Sequence, residues 1–330
     1  MSRLLSTLLV LFGVTIAAWP ATAQDKYPSR LVKIIVPYGP GGATDIVARV
    51  LADQLKTKFG QSFIVENKPG GYGIIAIQEL VRSGSDGYTL MIGNVSTNAI
   101  TPILFGSKMS LNYDTDVVPV MRLVDIPAFL LVTTKNFAPK TVAEFIDYTK
   151  KNPGKVNYGT VGVGSYPHYD MALFAKRAGD LNMAGIPNKA GASGVINDML
   201  TGTVQVAFLN VASTAGNVKA DNLRPLAQVN RTRLPQYPDV PTMDEVGFPG
   251  VGTAAWQALF APAGTPKAVL ETLREAMTEA MKAPAVVEAF KNQGFNTVPT
   301  ASLDEAKTWL ASEIANWRKI TQEVKIEIPD

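Results

Sequence analysis

Leu31-Val-Lys-Ile-Ile-Val-Pro37 is a short apolar run that stops at a glycine turn, Gly39-Pro-Gly-Gly42, and passes into a helical pattern from about Thr44 to Phe59. Ile46, Val47, Val50, Leu51 and Leu55 recur there at helical spacing, so one face of that helix is apolar. Gly60 stands where a left-handed residue ends a helix. A buried strand feeding an amphipathic helix is the unit of layered α/β folds, and the chain repeats it. Phe63-Ile-Val65, Tyr88-Thr-Leu-Met-Ile92 and Phe129-Leu-Leu-Val-Thr133 are further strand-like runs. Thr141-Val-Ala-Glu144 and Ser302-Leu-Asp-Glu305 are capping boxes, in which hydroxyl and carboxylate satisfy the first amides of a helix reciprocally. Thr265 and Pro266 read as an N-cap and first helical residue, and Asp244-Glu245 as the first turn of a surface helix.

The segment 231–252, rich in proline and glycine, is the nearest thing to a linker. The block 266–324 is too helical to make a balanced domain alone, so it is expected to pack back on the first α/β unit. That predicts one discontinuous lobe from 24–124 and 250–330, with 125–249 as a second lobe, each a mixed sheet flanked by helices. Crossings near Val124 and Pro249 would form a hinge, and a hinge places a cleft between lobes.

Arg3, the apolar run from Leu4 to Ala18, and Ala21-Thr-Ala23 before Gln24 follow the three-part pattern of a secretory signal peptide. Cleavage is expected after Ala23, delivering the mature chain to the periplasm. A membrane anchor needs about 20 apolar residues, and Pro20 interrupts this run first. There is no cysteine, which removes disulfides, thiol chemistry and lipoprotein acylation together. The formal net charge is only +3, so there is no electrostatic footprint for nucleic acid. A monomer is expected.

Four polar, glycine-bearing segments fall where α/β sheets bind ligands, at the C-terminal ends of strands. They are Pro37 to Asp45, Gly93-Asn-Val-Ser-Thr-Asn98, Gly159-Thr-Val-Gly-Val-Gly-Ser165 and Asn188-Lys-Ala-Gly-Ala-Ser193. A helix N-terminus offers unpaired amides and the positive end of the helix dipole, which suits an anion. Capping by Thr44 or Asp45 is the competing reading of the first. Two such segments per lobe could hold the two ends of a dicarboxylate. Tyr38, Tyr72, Tyr166 and Trp256 lie in or beside these segments, either as packing or as ligand contacts, whereas Trp309 and Trp317 read as core.

Catalytic constellations are scarce. His168 is the only histidine, so histidine-rich metal sites are excluded, and no G-x-S-x-G elbow accompanies it. There is no P-loop, and Gly39-Pro-Gly-Gly42 fails to complete G-x-G-x-x-G because Thr44 takes the last glycine position. No cofactor and no metal are expected. A cofactor-free lyase or hydrolase using the cleft stands as the enzymatic reading, and a cleft that binds a solute for a sensor kinase as a second.

The run Val36-Pro-Tyr-Gly-Pro-Gly-Gly-Ala-Thr-Asp-Ile-Val-Ala-Arg49 closely resembles the opening motif of the Bug/TctC solute receptors of tripartite tricarboxylate transporters. Val65-Glu-Asn-Lys-Pro-Gly70, Asp86-Gly-Tyr-Thr-Leu90, Pro153-Gly-Lys-Val-Asn-Tyr158, Pro238-Asp-Val-Pro-Thr242 and Ala261-Pro-Ala-Gly-Thr-Pro266 extend it along the chain. The resemblance implies a two-lobed periplasmic-binding (Venus-flytrap) fold, a non-catalytic receptor, a carboxylate ligand and membrane transporter subunits as partners. It nominates Tyr38, Gly41, Gly42, Ala43, Thr44, Asp45, Ser96, Thr97 and Asn98 from one lobe. From the other it nominates Gly164, Ser165, His168, Lys189, Ala190 and Gly191, and Tyr166 and Asn210 beside them complete the expected ligand-binding set. The family usually has an aspartate where this chain has Leu209-Asn210, which disfavours an amino-acid ligand. Asn188-Lys189-Ala190 and Tyr166-Pro167 depart from the family's usual residues as well. A dicarboxylate is the expected ligand, with aromatic ones such as terephthalate suggested by Tyr38 and Tyr166.

Overall fold

The computed structural model describes residues 27–188 and 190–327. The leader assigned to 1–23 and the nominated Lys189 therefore lie outside the described residues. Among the described residues eleven strands form two sheets. The first sheet holds β1 (Val32–Val36), β2 (Phe63–Asn67), β3 (Thr89–Asn94), β4 (Val117–Ile126), β10 (Ala255–Pro262) and β11 (Asn296–Thr297), in the order β11-β4-β10-β3-β1-β2. The second holds β5 (Ala128–Thr133), β6 (Val156–Thr160), β7 (Met183–Pro187), β8 (Val206–Asn210) and β9 (Leu223–Gln228), in the order β7-β6-β8-β5-β9. Both are mixed: β1 pairs in parallel with β2 and β3, while β10 runs antiparallel to β3 and β4. In the second sheet β6 is parallel to β7 and β8, and β5 antiparallel to β8 and β9.

The helices in chain order are α1 (Ala43–Phe59), α2 (Ile74–Arg82), α3 (Thr101–Phe105), α4 (Tyr113–Asp116), α5 (Val142–Lys151), α6 (Tyr166–Arg177), α7 (Ala192–Thr201), α8 (Val211–Lys219), α9 (Lys267–Ala280), α10 (Pro284–Asn292) and α11 (Leu303–Glu323). The alternation of strand side chains explains their burial. Along β5, Leu130 and Val132 enter one core while Phe129 and Leu131 enter the core on the opposite face, so a continuous apolar run is needed. The core of the first sheet takes in Leu270, Leu273 and Met277 of α9 and Leu310 and Trp317 of α11. The C-terminal helical block thus packs on the first sheet.

The chain leaves the first sheet at Ile126, enters the second at Ala128, and returns through residues 229–254. That return is tied to α6: Thr253 donates its amide (2.9 Å) and hydroxyl (2.7 Å) to the buried carboxylate of Asp170. Two local expectations change. Helix α9 begins one residue later than expected, with Pro266 as the extended N-cap and Thr265 turned back to bond the Pro262 carbonyl. Asp244-Glu245 belong to a turn rather than a helix, although Thr242 and Glu245 make the reciprocal bonds of a capping box there (2.7 and 3.1 Å). Among the described residues no helix is long and apolar enough to cross a membrane.

Candidate functional site

A cavity of about 860 Å³ lies between the sheets, lined by loops from both. In the first sheet, β1 ends at Val36 and the chain turns into α1, whose N-cap is Gly42 with no side-chain cap. The first intrahelical bond runs from the Ile46 amide to the Gly42 carbonyl, so the amides of Ala43 and Thr44 have no helix acceptor. Neither Thr44 nor Asp45 caps them. The Thr44 hydroxyl donates sideways to Gln257 on β10 (2.8 Å). Asp45 instead turns beneath the loop: Oδ2 accepts from the Gly41 amide and Arg49 Nε (2.9 Å each), and Oδ1 accepts from Asn67 (2.9 Å). Burial alone would push this carboxyl up, but bonds from Arg49, Gly41 and Asn67 outweigh it and hold it below the ordinary aspartate value. Asp45 is therefore ionised, and it fixes the loop from below.

The second loop, after β3, is organised by Asn94. Its Oδ1 accepts from the Tyr38 hydroxyl (2.7 Å) and the Ser96 amide (3.0 Å), which closes the start of the helical turn Ser96–Ile100. Burial raises the Tyr38 phenol to about 12. Asn98 is fully buried, accepting from Thr97 (2.6 Å) and donating to Tyr113 (2.9 Å). Only glycine serves at position 93, because a Cβ there would lie 1.8 Å from Asn98 Oδ1.

In the second sheet the loop before α6 is closed as well. The Gly164 amide donates to His168 Nδ1 (3.3 Å), the Ser165 hydroxyl to the Gly162 carbonyl (2.7 Å), and the Tyr166 amide crosses to Ser96 Oγ (3.3 Å). Accepting at Nδ1 places the proton of neutral His168 on Nε2, which faces the Tyr158 hydroxyl at 3.0 Å. Burial lowers the His168 pKa to about 4, so the ring is neutral near pH 7.

Two other helix starts are open. Helix α7 has Gly191 as N-cap and α8 has Asn210, neither with a side-chain cap. Ala190 and Val211 donate to Asn188 Oδ1 and the Pro127 carbonyl (2.9 and 2.8 Å), which fixes each approach. The first-turn amides that follow, of Ala192 and Ser193 and of Ala212 and Ser213, receive no side-chain cap and lie before the first i−4 bond of their helices. With Ala43 and Thr44 these make six first-turn amides, and all six residues line the cavity. No described lining residue carries a charged side chain. An anion here would meet backbone donors and helix dipoles, while an ammonium would meet no carboxylate.

Of the nominated residues, Tyr38, Gly41, Gly42, Ala43, Thr44, Ser96, Thr97, Gly164, Ser165, Tyr166, Ala190, Gly191 and Asn210 line the cavity. Asp45, Asn98 and His168 do not; they stand behind it and hold loops. Trp256 is also away from it, buried against Trp309 and bonded to Glu313 (2.8 Å). Asn94 and Ser193 lie in the expected ligand segments without being nominated individually, and Ala212, Ser213 and Gln257 lie outside them. Ser193, Ala212 and Ser213 follow a nominated glycine or asparagine at a helix start, and the strand-to-helix pattern at Asn210 was the signal available. Gln257 comes from an antiparallel strand 213 residues from its partner Thr44, where no local pattern points.

Two mixed sheets with helices on their faces, and a cleft fed by loops from both, define a two-lobed solute-binding protein of the periplasmic type. Residues 47–326 match the model of the tripartite tricarboxylate transporter family receptor, and the chain belongs to that family. BugT of Bordetella pertussis is 34% identical over 324 residues, 98% of each chain. Among solved structures, R. palustris Rpa4515 with adipate is 29% identical with a TM-score of 0.82, covering 91% of this chain and 99% of its own. MatC (Rpa3494) from Rhodopseudomonas palustris with bound malate is 28% identical with a TM-score of 0.78, covering 89% and 99%. The protein is accordingly a receptor, not an enzyme. His168 fits that role, since both its ring nitrogens are engaged in holding a loop.

Proposed function

We propose that the protein captures a small dicarboxylate in the periplasm, after loss of residues 1–23, and delivers it to membrane subunits of a tripartite transporter. The observation that carries the reading is the disposition of the six open amides, two from the first lobe at α1 and four from the second at α7 and α8. A dianion engages both walls and so draws the lobes together, whereas a monoanion satisfies one. The absence of a charged lining side chain among the described residues supports an anion recognised by the backbone. Adipate and malate, bound by the two neighbours, are both dicarboxylates.

The test is a calorimetric and thermal-shift panel on the mature protein. A dicarboxylate should raise the melting temperature by mass action, at about 2.7 kcal/mol of added stability when present at 100 times its Kd. The matching monocarboxylate should bind at least tenfold more weakly, and the ligand should be recovered unchanged. Binding confined to sugars or free amino acids would overturn the proposal.

A further inference from the structure

The loop entering α2 has an unusual backbone. Gly70, Gly71, Tyr72 and Gly73 all have positive φ, and Tyr72, at +57°, is a bulky residue in a region that glycine normally fills. The loop is nonetheless firmly seated. The Thr101 hydroxyl donates to the Tyr72 carbonyl (2.7 Å), and a Cβ at Gly73 would fall 2.4 Å from Thr97 Cγ2. Tyr72 is thereby fixed against Thr101, the residue that follows the Ser96–Ile100 turn in the wall of the cleft.

Tyr72 is 43% exposed, and its ring stacks on Phe105 with centroids 4.7 Å apart and planes 23° from parallel. Both rings line the cavity, beside Ile46, Pro69 and Leu104. The other two cavity tyrosines are differently placed. Tyr38 and Tyr166 are mostly buried, and each spends its hydroxyl on an asparagine, Asn94 or Asn210. The Tyr72 hydroxyl has no partner among the described residues. An aromatic pair seated in a strained loop, with Tyr72 left partly exposed in the wall of a cavity, gains when a ligand ring packs on it.

We infer that Tyr72 and Phe105 form an aromatic subsite of the cleft, and that the receptor selects carboxylates with an aromatic body over short aliphatic ones. This rests on the carboxylate reading above: the open amides hold the carboxylates and the Tyr72–Phe105 pair reads what lies between or beyond them.

Calorimetric titration with terephthalate, adipate and succinate tests it in the wild type and in Tyr72→Ala and Tyr72→Asn. Asparagine tolerates the left-handed backbone, so the second variant removes the ring without relying on an unfavourable alanine there. Ligand-free melting curves report whether each variant is folded. Wild type should bind terephthalate at least tenfold tighter than succinate. Both variants should lose about three- to tenfold for terephthalate, the range of one aromatic pair, with succinate changed by less than about twofold. Equal losses for terephthalate and succinate, or tighter wild-type binding of adipate or succinate than of terephthalate, would overturn the subsite while leaving the dicarboxylate reading intact. Binding of none of the three would overturn the subsite, and the wider panel above then decides the dicarboxylate reading.

Discussion

The starts of α1 and α6 look alike in the sequence: an apolar strand, a polar turn with several glycines, then a helix. Their structures differ in what the amides do. At α1 the bracing comes from beneath, through Asp45 to Gly41 and Asn67, and the first-turn amides of Ala43 and Thr44 stay available on the cavity side. At α6 the amides themselves do the bracing, Gly164 to His168 and Tyr166 across the cleft to Ser96, while Pro167 has none to offer. A glycine turn at a helix start is thus not an anion site in its own right. The outcome depends on whether the side chain that stiffens the loop sits behind it and spares the amides. The two loops also depend on opposite charge states, an ionised carboxylate in one and a neutral imidazole in the other.

The largest effect should come from Asp45→Ala. It leaves the Gly41 amide and the Asn67 amide group without a buried acceptor, at a cost of about 2–3 kcal/mol. The Arg49 contact adds little to this, because that guanidinium is half exposed. With the loop unpinned, dicarboxylate affinity should drop at least tenfold. Urea unfolding and calorimetry on the same preparation read both quantities. A variant as stable as the wild type, with unchanged affinity, would show that Asp45 does not hold the loop.

At α6 the corresponding lever is pH. His168 has an ordinary pKa near 6.5 when unfolded and about 4 when folded, so between those values the unfolded chain binds the extra proton. Its contribution to stability is complete above about pH 6.5 and is lost as pH falls toward 4. Asp170 acts oppositely: burial raises its carboxyl to about 7, so its contribution falls as pH rises from about 4 to 7. The His168 share is therefore read as a difference between wild type and His168→Gln. Glutamine should cost about 1–2 kcal/mol at pH 7, through one lost or lengthened bond and imperfect packing. That gap should close and then reverse between pH 6.5 and 4.5, as the wild type alone loses stability through His168 there. A gap independent of pH would mean that His168 is not held neutral by its surroundings.

Much of this was legible in the residues, and the reasons are physical. The strand runs, the helix periodicity and the hydroxyl caps at Thr141 and Ser302 are local, and the structure shows them in place. Glu144 and Glu305 accept from the amides of Lys140 and Ala301, one residue before each cap. The cleft loops were found because strand ends in α/β sheets are where ligands bind. What stayed hidden was the division of labour within them. Asp45 and His168 lie at the same kind of position as Thr44 and Ser165, and only tertiary partners (Asn67, Tyr158) decide which residue faces the ligand and which holds the loop. The open start of α8 was half visible, as Asn210 without the two residues after it. Tyr72 stands in the sequence as an aromatic beside a cleft segment, but its left-handed backbone does not follow from a glycine-rich string.

The smallest change in stability, and the sharpest test of the comparison, comes from giving α1 the cap it lacks. Gly42 has extended backbone angles (φ −81°, ψ 169°) that any residue adopts, and a Cβ there meets nothing within 4 Å. Gly42→Asp should be accommodated without rearrangement. Its carboxylate would accept from the Thr44 or Asp45 amide and complement the helix dipole, changing stability by no more than about 1 kcal/mol in the favourable direction. The same carboxylate would occupy the donors proposed for the ligand and repel an incoming anion. Affinity for a dicarboxylate should then fall at least tenfold in a protein that melts no lower than the wild type. An uncapped helix that binds nothing would lose no affinity on being capped, so retained binding in Gly42→Asp would show that the α1 amides are open without being used. Loss of binding with stability intact would establish that the missing cap is the recognition element of the first lobe, and that α1 and α6 differ in function because their amides are spent differently.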